Sequence, residues 1–142
     1  MRDKIGKHLK IILVSMIFVL IVSVCIDGLW LFGIPDAEDV QSVQVTNLRY
    51  STEPKTFSDA ENIQLAVQLS GFLKYKLFSD VQSDSEPIVT ITYHLSNGSS
   101  QSLSANEDTL WWKGKTRSLK QENIFLKLSE GIFFYEEAIA AE

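Results

Sequence analysis

Between Ile11 and Ile34 only Asp27 carries a formal charge. A helix of about 20 apolar residues crosses a ~30 Å hydrocarbon core, so this run is long enough to span a membrane. No other part of the 142-residue chain is comparably apolar, and the remainder has room for one compact domain. Arg2, Lys4, Lys7 and Lys10 precede the run, and Asp36, Glu38 and Asp39 come after it. By the positive-inside rule this asymmetry keeps the N-terminus cytoplasmic and sends the chain from about Pro35 outward. Trp30 and Phe32 stand where an interfacial aromatic belt belongs. The expected division is a basic cytoplasmic segment over 1–10, an anchor in the lipid bilayer over 11–33 and an extracytoplasmic domain over 34–142.

Three fates compete for the apolar run. A cleaved signal peptide needs small residues at positions −3 and −1 of its cut site, and Ser23 and Cys25 meet this loosely. Lipidation of Cys25 calls for a small residue just before it, where Val24 stands. A retained anchor needs neither feature and treats Cys25 as a small apolar side chain. Asp27 suits an anchor if it lies at the outer rim, where hydrated head groups solvate it. The retained anchor is the expectation.

From Ile34 onward nine Lys/Arg face sixteen Asp/Glu, a net charge of −7. Such a domain repels phosphate backbones, which argues against nucleic acid as a partner. With Cys25 as the sole cysteine there is no disulfide framework and no cysteine zinc site. Burial of an apolar core must hold the domain together.

Val43 and Val45 alternate with polar neighbours and predict a strand, which Pro54 in "STEPKTF" is expected to break. Ser58 and Glu61 form an S-x-x-E capping box. Ile63, Ala66, Val67, Ser70 and Leu73 recur at helical spacing, so a helix is predicted over about 59–75. Gly71 costs that helix about 1 kcal/mol relative to alanine, a cost explained if another backbone passes close by. Val89, Ile91, Tyr93 and Leu95 form one face of the clearest strand, with Thr90, Thr92 and His94 on the other. Asn97-Gly98 predicts a type I′ hairpin turn into a strand with Leu103 and Ala105 inward. "TLWWKGKTRSL" reads as two short strands about Lys113-Gly114; Ile124, Leu128 and Ile132 predict a closing helix over 121–137, although "IFLKL" also reads as a strand and Gly131 interrupts the run. The fold class expected is α+β: an N-terminal transmembrane helix, one strand, a helix, a three- to four-stranded antiparallel meander and a C-terminal helix.

Candidate sites are few. His94 has no second histidine or cysteine beside it for a metal, and no motif-borne nucleophile to activate. Asp80, Asp84 and Glu86 share a loop without calcium-binding spacing, which reads as a solvated surface. Asn97–Ser99 matches a glycosylation acceptor, but a hairpin turn already accounts for it. Trp111 and Trp112 must face opposite sides of a strand, one entering the core. The outward ring either packs against the final helix or, near Lys113, Lys115 and Arg117, stacks on a sugar or anchors a partner. Trp111, Trp112, Lys113 and Arg117 are therefore the candidate binding residues. No cofactor-binding or catalytic motif is found.

"VQVTNLRYSTEPKTFSDAENIQLAVQLSGFL" followed by "VTITYHLSNGSSQSLS" resembles small extracytoplasmic domains of unknown function in Gram-positive bacteria. These occur in lipoproteins and membrane-anchored proteins, some as appendages of sensor-type membrane peptidases. The resemblance rests on Phe57, Ser58, Asp59, Glu61 and Ile63 at the helix start and on Asn97-Gly98. It implies no catalytic residues. The expected function is non-catalytic binding or modulation of a membrane or envelope protein. The alternative is a lipoprotein-like module recognising cell-wall glycan through Trp111/Trp112, and a hydrolase with no recognisable motif is a third class.

Overall fold

The structure is a computed structural model that describes residues 2–78, 81 and 84–140. It is α+β, as the sequence predicts. Helix α1 (Arg2–Asp27) is basic at its start and uncharged on every side from Ile11 to Ile26; it is unburied and long enough to cross a membrane. It ends at Asp27, short of the expected Gly33, because Gly28 turns the chain at φ +78°. Glycine reaches this left-handed region without strain and commonly ends helices there. The next residues leave the helix: Leu29–Trp30 form β1 and Leu31 enters the domain core.

Six strands build the main sheet: β2 (Val40–Asn47), β3 (Ser51–Phe57), β5 (Val89–Leu95), β6 (Ser100–Ala105), β7 (Thr109–Trp112) and β8 (Lys115–Ser118). They are antiparallel throughout and lie in the order β3-β2-β5-β6-β7-β8. Helix α2 (Ala60–Gly71) comes after β3, and a two-residue strand β4 (Lys74–Tyr75) pairs with β1. Helices α3 (Ile124–Phe133) and α4 (Tyr135–Ala140) close the domain. The pattern on β5 holds: Val89, Ile91, Tyr93 and Leu95 are buried, as are Leu103 and Ala105 across from it.

Several expectations are corrected. "STEPKTF" is a strand: β3 lies at the sheet edge, and its register with β2 shifts between Val45 and Asn47. Proline is tolerated on edges and beside such irregularities, so Pro54 does not stop the pairing. Helix α2 is shorter than 59–75, since Lys74 and Tyr75 are taken by β1. Its N-cap is Asp59 rather than Ser58, with the Asp59 carboxylate accepting from the Asn62 N–H at 2.9 Å. No backbone approaches Gly71, which is simply the last helical residue. At the β5–β6 hairpin only Gly98 has a positive φ, and its N–H donates to the Leu95 carbonyl, so the turn is not type I′. The positive pair occurs at Lys113 (φ 49°) and Gly114 (φ 72°), where Trp112 faces Lys115 across a two-residue loop. That is the signature of a type I′ turn. The single closing helix over 121–137 is two helices that break at Phe134.

Helix α2 lies on the inner sheet face through a buried polar contact. The fully buried Tyr93 hydroxyl donates to the Ala66 carbonyl at 2.9 Å and lies against the Ser70 hydroxyl. Burial pushes the Tyr93 phenol well above its usual range, so it stays a neutral donor. Helices α3 and α4 cover the β3 side, where Phe133 meets Phe57 and Lys55 pairs with Glu137.

Replacing Tyr93 by Phe leaves both Ser70 and Ala66 short of a partner and is expected to cost about 1–3 kcal/mol. Denaturant unfolding of the full chain in mild detergent measures this. Adding Ser70→Ala should cost less than the sum of the two single changes, because one network is removed twice. A second prediction concerns acid. Hydrogen bonds from the Asn62 side chain and backbone hold the Asp59 carboxyl below its ordinary range. The cap's stabilisation is thus complete above the ordinary carboxylate pKa and lost as pH falls through the lowered folded value. In melts from pH 7 down to pH 3, about the window in which carboxylates titrate, Asp59→Asn should show a shallower fall than the unmodified chain.

Candidate functional site

The chain leaves α1 and joins the domain without a free linker. The Gly28 N–H donates to the Val24 carbonyl, and a side chain at Gly28 would meet the Tyr75 carbonyl oxygen at 2.7 Å. The Leu31 N–H donates to the Leu73 carbonyl at 2.9 Å. The Trp112 indole N–H donates to the Phe32 carbonyl at 2.8 Å, and Lys120 Nζ donates to the Ile26 carbonyl at 2.6 Å, near the end of α1. A cation placed there complements the helix C-terminal dipole. On its other side β4 is bridged to Leu119, so β1, β4 and the segment after β8 form a small roof over the sheet edge.

Under this roof lies a cavity of about 350 Å³, lined by Leu31, Phe32, Gly33, Tyr75, Trp112, Lys113, Lys115 and Arg117. The type I′ turn places Lys113 at its mouth, and the Lys113 ammonium lies close to Gly33. Period-two alternation puts Lys115 and Arg117 on the same inward face as Leu110 and Trp112. The Arg117 guanidinium stacks over the Tyr75 ring, 4.1 Å from its centroid, and its buried Nε has no hydrogen-bond partner among the described residues. Arg49, Lys55 and Lys76 pair with glutamates, whereas no described carboxylate pairs with Lys113, Lys115 or Arg117.

The four predicted binding residues divide between the two sheet faces. Trp112 is 4% exposed and points inward, with Lys113 and Arg117. Trp111 is half-buried on the outer face, opposite Ser104 and Thr116. The final helices lie against the inner face, where Lys55 and Phe57 share a side with Val43 and Val45, so they do not cover Trp111. The outer face is a ladder of hydroxyls: Thr90 with Ser104, Thr92 with Ser102, and His94 Nδ1 with Ser100, each 2.9 Å apart. His94 therefore serves the ladder. Cys25 lies exposed on α1. In the acidic loop Asp84 and Glu86 are exposed and Asp80 lies outside the described residues. Among the described residues no three His, Cys, Asp or Glu side chains gather as metal ligands.

Sequence reasoning missed Phe32 and Tyr75 as parts of this site and left Lys115 as a mere neighbour. The alternation Lys115-x-Arg117 after Trp112 carried a signal for Lys115. Phe32 and Tyr75 arrive through the β1–β4 pairing of two-residue strands, too short to leave a pattern.

No protein-family model matches the chain, and no curated protein matches it. A solved structure titled "NMR structure of the protein from Ruminococcus gnavus" is similar over 65% of this chain and 93% of that one, with 20% identity and a TM-score of 0.43.

The joint makes a prediction of its own. Gly28→Val both strains a positive φ and collides with the Tyr75 carbonyl. Hydrogen exchange is expected to speed up at 29–31 and 73–75 while β5 stays protected.

Proposed function

We propose that this chain is a single-pass membrane protein with a cytoplasmic N-terminus and a non-catalytic outer domain that binds or modulates a protein partner at the cell envelope. The resemblance to small extracytoplasmic domains belongs to the same reading. The observation that carries it is the linker-free joint: a domain hydrogen-bonded to its own apolar helix presents its outer sheet face in a fixed orientation. Retention also fits the bonds themselves. Cleavage or lipidation at Cys25 removes Val24, whose carbonyl accepts from the Gly28 N–H, and leaves the Ile26 carbonyl that Lys120 contacts without the helix it belongs to.

A second reading is favoured by Trp111. A half-exposed indole beside a hydroxyl ladder suits stacking on a sugar ring of cell-wall glycan. Trp112 is withdrawn from that reading because its ring is buried.

Intact-mass measurement on membrane-extracted protein should return the full chain with unmodified Cys25, and loss of residues 1–24 with a lipid on Cys25 would overturn the anchor. A photo-crosslinking residue in place of Thr92, on the outer face, should yield one discrete protein adduct in native membranes. An absent adduct, together with Trp111-dependent retention on purified cell-wall glycan, would favour the second reading.

A further inference from the structure

We infer that the cavity walled by Lys113, Lys115, Arg117, Trp112, Phe32 and Tyr75 binds the phosphate of an anionic phospholipid headgroup from the leaflet at which α1 ends. Three cations converge on one cavity in a domain whose net charge is −7, and no described carboxylate pairs with them. Mutual repulsion makes such a cluster unfavourable when empty, and an anion relieves it. Arg117 lines the cavity, and among the described residues its buried Nε meets no acceptor, so the guanidinium is not committed to a carboxylate of the domain. Arginine is well suited to phosphate oxygens, and its stacking on Tyr75 fixes the guanidinium plane before any ligand arrives.

The place of the cavity selects a lipid over a soluble anion. Phe32 and Gly33 lie five and six residues beyond the last residue of α1, so the chain holds the site near the helix end. From Ile11 to Ile26 the uncharged part of α1 spans about 24 Å, less than a ~30 Å hydrocarbon core. A short span is accommodated by thinning the bilayer and by side chains at its ends reaching the interface. That draws exposed Trp30 and Phe32, and the cavity beside them, into the headgroup layer. Inward-pointing charges on β8 also protect an edge strand from pairing with other chains. That role needs no aromatic walls and no buried, unpartnered guanidinium nitrogen.

Native mass spectrometry of the full chain in detergent, offered phosphatidylglycerol or phosphatidylcholine, tests the inference. The expected result is one phosphatidylglycerol retained per chain, about tenfold or more over the choline lipid, whose ammonium the three cations repel. K113Q/K115Q/R117Q should abolish the preference. K113Q/K115Q, which leaves the Arg117–Tyr75 stack in place, should weaken it about threefold or more. R49Q/K55Q/K127Q removes equal charge outside the cavity and its roof and should keep it. Equal retention of both lipids, equal loss in the outside variant, or displacement by inorganic phosphate or glycerol 3-phosphate at the lipid's own concentration would each overturn it. The inference rests on the retained anchor but not on a protein partner. The same spectrum gives the intact mass, so loss of residues 1–24 is read apart from loss of lipid.

Discussion

The pairing of Leu29–Leu31 with Leu73–Tyr75 is the constraint on which the rest of the molecule depends. Those residues must follow the end of a helix that is uncharged from Ile11 to Ile26 and at once supply Leu31 to the domain core. Glycine at position 28 permits both, since the chain turns there at a positive φ against the Tyr75 backbone. Once β4 is held by β1, α2 must stop at Gly71, and the segment after β8 can dock on the other side of β4. The small roof thus fixes the length of a helix, the exit of a strand and the walls of a cavity together.

Much of the fold is legible in local pattern. The apolar face of β5 and the helical spacing of Ile63, Ala66 and Ser70 found their places, because one buried side per element leaves a strict period. Pro54 misled because an edge strand exempts proline from a rule that holds for central strands. Asn97-Gly98 and Lys113-Gly114 exchanged roles for a related reason. Loop length and strand register decide which hairpin takes the type I′ turn, and residue preference only biases that choice. The apolar run hid its own end, since Leu29 and Leu31 are as suited to a domain core as to lipid. Trp111 and Trp112 were separable by alternation, but which ring entered the core depended on the register of β7 with β6.

Charge is distributed as unevenly in space as in sequence. The acidic residues of the domain are spread over many loops and helices, while Lys74, Lys76, Lys113, Lys115, Arg117 and Lys120 collect on the three segments that build the roof and its cavity. Lys120 is used by the α1 terminus, Lys74 sits 4.3 Å over the Trp30 ring, and Lys76 pairs with Glu122. The cavity cations are the remainder, held near an apolar helix that would otherwise carry no charge at its domain end beyond Asp27.

A linker-free joint changes what a small outer domain can do. On a flexible tether, a binding face samples a volume set by linker length, and its orientation carries no information. Here Leu31, Trp112 and Lys120 bind the first residues beyond the helix, and the last residues of the helix itself, to three separate parts of the domain. The hydroxyl ladder and Trp111 stand on the opposite sheet face from the cavity. If the chain is anchored as proposed, one face of the sheet is turned away from the helix end and the cavity edge lies beside that end. The outer-face residues stand on β5, β6 and β7 and the cavity residues of the sheet on β7 and β8, so β7 is the strand that the two surfaces share. Both β7 and β8 are four residues long, and the roof holds the far side of β8 through the Lys76 N–H to the Ser118 carbonyl and the Tyr75–Leu119 bridge.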